Sequence, residues 1–152
     1  MYVGGLFTAA GGINASGVAR WDGASWSPLG EGLNNWVLDF ATFDDESGRA
    51  LYAGGLFGRS GSISVSCIAK WNGAEWLPLA LGLNHEAWTI AVFDGGDGPA
   101  VYVGGQFTEA DRKISRNMAK WYRPLVCEGP GGIAKEEGTE AQRHEGTQTD
   151  RW

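Results

Sequence analysis

Three short strings recur at a step of fifty residues: YVGGLF at Tyr2–Phe7, YAGGLF at Tyr52–Phe57 and YVGGQF at Tyr102–Phe107. The echo continues through VARW, IAKW and MAKW, ending at Trp21, Trp71 and Trp121. Gly23 and Gly73, Trp26 and Trp76, Pro28-Leu29 and Pro78-Leu79, and Gly-Leu-Asn at 32–34 and 82–84 extend it. Residues 1–50 align on residues 51–100 without a gap and share 23 of 50 positions. A fixed period of this size means one supersecondary unit copied in tandem, so no residue can be given a role before its equivalents are found.

The unit must be rich in β structure. The chain carries 25 glycines and 8 tryptophans among 152 residues, which suits short strands, tight turns and aromatic packing. Its 43% hydrophobic content is enough for a core and argues against global disorder. The formal charge of −6 argues against general nucleic-acid binding. No apolar run approaches the roughly 18 residues of a membrane span, and no charged-then-apolar leader is seen. Cys67 and Cys127 say nothing of compartment; Cys67 stands where the other repeats have Gly17 and Asn117, which fits a small loop or strand residue.

The middle repeat is complete and reads as four strands. VLDFATF (residues 37–43) and AWTIAVF (87–93) are apolar, partly β-branched runs bounded by turn residues. DDESG and DGGDG follow as reversals. LYAGGLF (51–57) is the next strand, and its glycine pair lets a neighbouring strand or ring approach the backbone. After a polar loop of about ten residues come CIAKW (67–71), the Asn72-Gly73 turn and a last strand over 75–80, with Trp76 and Leu77 on opposite faces. Four antiparallel strands per period of fifty predict an all-β fold of β-propeller blades. The glycine doublet, the spaced tryptophan and the Asp/Asn-Gly turn resemble the kelch motif. More closely, residues 50–83 resemble bacterial kelch-like propeller repeats of large secreted or surface proteins, similar to repeats in fungal cortical polarity-marker proteins. The resemblance spans residues 1–121 and implies an extracellular or cell-surface parent, but no activity.

The pattern breaks after Trp121. YRPLVCEGPGG replaces the expected turn and strand, and residues 133–152 are polar and charged, so the expected organisation is three repeats over 1–124 (1–50, 51–100 and an incomplete 101–124) and a disordered, divergent tail over 125–152. The repeats supply three, four and three strands, too few to close a ring of four to eight blades. The chain is therefore expected to be a fragment of a larger propeller, or to self-associate to complete one.

Signs of catalysis are weak. His85 and His144 are the only histidines, and HExxH, CxxC and a phosphate loop opening a helix are missing. A Cys67–His85 pair has nothing in the sequence to support it. The acidic turns fit reversal chemistry better than a calcium loop. No catalytic centre, metal or cofactor is expected. Function is instead expected where repeats differ: the loops 8–17, 58–66 and 108–117 and the connections at 34–36 and 84–86, which a meander places on one face. Arg59, Arg112, Lys113 and Arg116 make that face locally basic. Asn34, Asn35 and Trp36, with Asn84 and His85 fifty residues on, combine amides with an aromatic surface suited to peptide or sugar. The expected function is a non-catalytic interaction scaffold recognising protein or glycan; the alternatives are a domain supporting a catalytic module in a longer parent, or a structural spacer.

Overall fold

The computed structural model describes residues 1–45, 47–96 and 98–121; the 125–152 segment, with the last residues of the third repeat, lies outside them. Among the described residues the fold is all-β with no helix, hence none long and apolar enough to cross a membrane. The first repeat forms β1 (Tyr2–Gly4), β2 (Ala9–Ala10), β3 (Ile13–Asn14), β4 (Val18–Trp21) and β5 (Trp26–Pro28). The next unit forms β6 (Val37–Asp44), β7 (Arg49–Gly55), β8 (Arg59–Ser60), β9 (Ile63–Ser64), β10 (Ile68–Trp71) and β11 (Trp76–Pro78). The last forms β12 (Ala87–Asp94), β13 (Pro99–Gly105), β14 (Glu109–Ala110), β15 (Lys113–Ile114) and β16 (Met118–Trp121).

The middle sheet is the four-stranded antiparallel meander expected, in the order β6-β7-β10-β11. Its neighbours are three-stranded, β1-β4-β5 before it and β12-β13-β16 after it. Each loop between the second and third strands, read from the sequence as a polar loop of about ten residues, carries a short hairpin of two-residue strands: β2-β3, β8-β9 and β14-β15. Two further details correct the sequence reading. Cys67 does not begin a strand; it sits at φ +62°, as Gly17 and Asn117 do at +66° and +64°. The strand starts at Ile68. The Asn72 turn spans residues 72–75, and the Asn72 side-chain oxygen accepts from the backbone amides of Ala74 and Glu75 at 2.8 and 2.9 Å. Asp22 does the same in the first repeat, which is why either residue serves there.

The middle sheet is buried on both faces, because alternate side chains of β7 enter two different cores. Leu51 and Ala53 join Val18, Leu29, Leu33 and Trp76 on the side of the first sheet. Ala50 and Tyr52 join Phe43, Ile68, Ile90, Val103 and Phe107 on the side of the third. Trp76 is wholly buried, and its indole N–H donates to the Leu29 carbonyl at 3.1 Å, satisfying the one polar atom of the largest core side chain.

The glycine pair has two separate jobs. At the first glycine a side chain would strike the next sheet: a Cβ on Gly4 would lie 2.7 Å from Phe40, and one on Gly54 3.0 Å from Ile90. At the second it would strike the backbone just before its own sheet's first strand: a Cβ on Gly55 would lie 2.0 Å from the Trp36 carbonyl oxygen, and one on Gly105 the same distance from that of Glu86. Those carbonyls accept from Leu56 and Gln106 at 2.9 and 3.0 Å. A second inter-sheet tie comes from Asp39, whose carboxylate accepts from Thr89 Oγ1 and Ile90 N, both at 2.9 Å.

Gly5 holds the same motif position, yet a Cβ there would meet only the Phe7 ring at an ordinary 3.5 Å. Gly55→Ala should therefore cost about 3 kcal/mol or more, since backbone must move, whereas Gly5→Ala should stay within about 0.5 kcal/mol of wild type. Urea unfolding of both variants checks this; equal effects would mean that the pair is not conserved between repeats for the packing described.

Candidate functional site

The connections between sheets are bonded to hairpins on both sides. Leu33 N donates to Ser16 O at 2.8 Å in the loop behind, and Asn34 N donates to Arg59 O at 3.1 Å in the loop ahead. Fifty residues on, Leu83 N reaches Ser66 O at 2.9 Å and Asn84 N reaches Glu109 O at 3.2 Å. The Asn34 side-chain oxygen accepts from the amides of Gly58 and Arg59, both at 2.9 Å, and that of Asn84 from Thr108 and Glu109, both at 3.0 Å. The structure thus joins all three variable loops and both connections into one platform. Asn34 and Asn84, two of the candidate ligand contacts, spend their carbonyl oxygens on this joint.

The remaining candidates fall into two groups. Arg59, Arg112, Lys113 and Arg116 are exposed on the hairpins and their exits. The Arg59 guanidinium turns back to Ser62 O at 3.5 Å. Asn35, Trp36 and His85 lie at the entrances to β6 and β12. Asn35 Oδ1 accepts from Trp36 N at 2.8 Å, and His85 Nδ1 lies 4.0 Å from Glu86 Oε1. Trp36 and His85 are exposed, Asn35 half-buried.

Two residues beside them were not anticipated. Trp88 is exposed because a β-bulge between Ala87 and Thr89 leaves it without a partner across the sheet, and its indole donates to Glu86 Oε2 at 3.0 Å. Leu38 holds the equivalent place in β6. In sequence, Trp88 is one more aromatic in a strand; only the bulge turns it out.

The third hairpin is the distinctive one. Its tip, Asp111-Arg112, lies at φ +50° and +58°, where the first repeat has Gly11 and Gly12 at +57° and +86°. Two left-handed residues are what a tight two-residue hairpin requires, and glycine normally supplies them. Asp111 is tied to the preceding connection, its N–H donating to Gly82 O at 2.9 Å. Arg112 stands with Leu81, Gly82, Leu83, Asn84 and Glu109 around a shallow open depression. Replacing a glycine by arginine at positive φ costs about 1 kcal/mol or more. Arg112→Gly should accordingly raise stability by about 1 kcal/mol, read as a higher urea midpoint at unchanged m-value; a lower midpoint would show that the side chain holds the hairpin together.

On the opposite end of the middle sheet lies a charged cluster with no warning in the sequence. Asp45, from the turn after β6, accepts from Tyr52 Oη at 2.6 Å, from Ser47 and from Lys70 Nζ. Lys70 also donates to Ser47 Oγ at 2.7 Å. The carboxylate is almost wholly buried. Burial opposes its ionisation, but the bonds from Lys70, Ser47 and Tyr52 outweigh that and hold its pKa at about 2. Burial and the bond to Asp45 push the Tyr52 hydroxyl far up, so it stays a donor. This is an anchor for the turn rather than an acid–base pair, since the Asp45 carboxyl is held ionised and the Tyr52 hydroxyl protonated at neutral pH. The basic residue opposite each repeated tyrosine recurs, as Arg20 faces Tyr2 and Lys120 faces Tyr102, but Gly95 replaces the aspartate in the third repeat.

A carboxyl whose folded pKa lies below its unfolded 3.8 adds stability that is complete above pH 5 and disappears as the pH falls through 2. For Asp45 the difference amounts to about 2 kcal/mol. Asp45→Asn should remove that share of the acid slope and destabilise the protein at neutral pH; denaturant midpoints measured from pH 2 to 7 check both, and an unchanged slope would contradict the assignment.

Cys67 is half-buried, and burial together with the nearby Glu86 carboxylate pushes its thiol up, against thiolate formation. Among the described residues no three His, Cys, Asp or Glu side chains are grouped to hold a metal ion. Comparison with protein-family models, curated proteins and solved structures gives no match.

Proposed function

We propose that the chain is a segment of a kelch-like β-propeller, with the three sheets as blades, in a secreted or cell-surface parent, and that it works as a non-catalytic scaffold binding protein or glycan on the hairpin face. Four-stranded meander geometry, a fifty-residue period and face-to-face sheets joined by the same glycine contact support the propeller reading. The observation that carries the binding reading is the tip at Asp111-Arg112. A charged pair is kept in a backbone conformation made for glycine, with Arg112 exposed at the tip of a hairpin whose Asp111 is bonded to the platform. Unrelieved backbone strain concentrates at functional positions, because the side chain gained there is worth more than the stability lost.

Arg112 with Arg59, Lys113 and Arg116 suits an anionic partner, and Trp36 with Trp88 supplies flat apolar surface beside the carboxylate of Glu86 for a sugar face or peptide side chain. The test is direct binding of the full chain to arrayed glycans, sulfated ones included, and to acidic peptides. Arg112→Gly and Trp36→Ala should each weaken the recovered interaction at least about tenfold, equivalent to 1.4 kcal/mol, without lowering the melting temperature. An interaction that is indifferent to both, or no interaction with any probe, would overturn the reading.

A further inference from the structure

The turn between β10 and β11 reads Asn72-Gly73-Ala74-Glu75, and of the six asparagines in the chain only Asn72 precedes a glycine. The side-chain carbonyl carbon of an asparagine is open to attack by the backbone nitrogen of the next residue, which closes a five-membered ring. Glycine in that place has no side chain to obstruct the approach. The fold then aims two donors at the oxygen on which charge gathers. Asn72 Oδ1 accepts from the amides of Ala74 and Glu75 at 2.8 and 2.9 Å, and Asn72 N donates to Glu75 O at 3.2 Å, closing the turn. When a nucleophile adds to the side-chain carbonyl, its oxygen becomes an oxyanion, and two fixed backbone amides at this distance stabilise that charge. Asn34 and Asn84 also have Oδ1 held by two amides, at 2.9 and 3.0 Å, but the bulkier Asn35 and His85 follow them. Among the described residues Asn72 alone combines paired donors with a following glycine.

We propose that Asn72 is a self-modification site, at which the turn promotes deamidation to aspartate and isoaspartate. The Gly73 nitrogen gives up its proton and bonds to Asn72 Cγ. The Cγ–Nδ2 bond then breaks, and Nδ2 leaves as ammonia with the proton that Gly73 released. One water opens the resulting succinimide at either carbonyl, and no oxidant or reductant is needed. The first repeat shows how the two products differ. Asp22 stands in the same place and accepts from the amides of Ala24 and Ser25, both at 2.8 Å, so aspartate at position 72 keeps the turn. Isoaspartate routes the main chain through Cβ and Cγ, which adds a backbone atom and takes the accepting carbonyl into the main chain. Trp71 pairs with the buried Trp76 across this turn, their rings 5.5 Å apart, so that product loosens a hairpin anchored in the core. All the reacting and bonding atoms belong to residues 72–75, and the site is independent of the hairpin face and its ligand.

The test is incubation of the full chain in mildly alkaline buffer, folded and in urea, followed by peptide mapping for the amide-to-acid mass gain. An isoaspartate-specific methyltransferase with a labelled methyl donor reads the second product. In the folded chain Asn72 should convert at least about tenfold faster than Asn34 or Asn84. It should also convert no more slowly there than in urea, because the paired donors exist only in the folded turn. Slower conversion in the folded chain would show that the turn shields the asparagine, and equal conversion at the three sites would remove the role of Gly73; either overturns the proposal. Asn72→Asp should leave the urea midpoint unchanged and abolish most of the isoaspartate signal, whereas a signal undiminished in that variant would place the reaction elsewhere.

Discussion

The approach of one backbone to another at Gly55 and Gly105, the second glycines of the middle and third pairs, is the constraint on which the architecture depends. The Trp36 carbonyl sits over Gly55 and that of Glu86 over Gly105, at separations that leave no room for a methyl group. This contact fixes where the first strand of a sheet begins relative to its second. It also fixes where the connection from the preceding sheet must arrive. The first glycine then sets how deeply the following sheet can settle, through Phe40 on Gly4 and Ile90 on Gly54. Both distances are short because glycine lacks a side chain, and the larger aromatic residues fill the space left further along the strands.

From that spacing follows a division of labour between the two ends of the sheets. At one end, connections and hairpins are cross-bonded by Asn34 and Asn84, so loop side chains are displayed on an ordered base. Variation between repeats is then concentrated in outward-facing positions such as Arg59, Glu109 and Arg112, while the bonding residues stay the same. At the other end, the turns are held by side-chain oxygens of Asp22, Asn72 and Asp94, and in the middle sheet by the buried Asp45 with Lys70 and Tyr52. A buried ion pair is a costly way to fix a turn, since two charges leave water, and here it is accommodated because Tyr52 and Ser47 complete the hydrogen bonding.

Much of the fold could be read from local pattern. Strand positions and their antiparallel order followed from apolar runs, turn residues and a gap-free repeat. The candidate site was legible as a region rather than as a set of contacts. Asn34 and Asn84 look like surface amides in sequence, but each reaches a loop 24 or 25 residues away, a pairing no local pattern shows. The left-handed tip at Asp111-Arg112 was hidden for a related reason, since only the repeat alignment to Gly11-Gly12, joined with observed torsions, shows what the charged pair replaces.

By itself, the sequence determined that this chain is a tandem array of short antiparallel strands, because the period, the glycines and the alternation act over a few residues and need no partner to be recognised. Tertiary structure alone decided which side chains are committed to holding sheets together and which are left exposed. Asp39 bonds a strand fifty residues distant, Trp76 a carbonyl forty-seven residues back, and Trp88 is turned outward by a bulge. Exposure and hydrogen-bond occupancy are properties of what is packed alongside, and the packing partner of each strand belongs to another repeat.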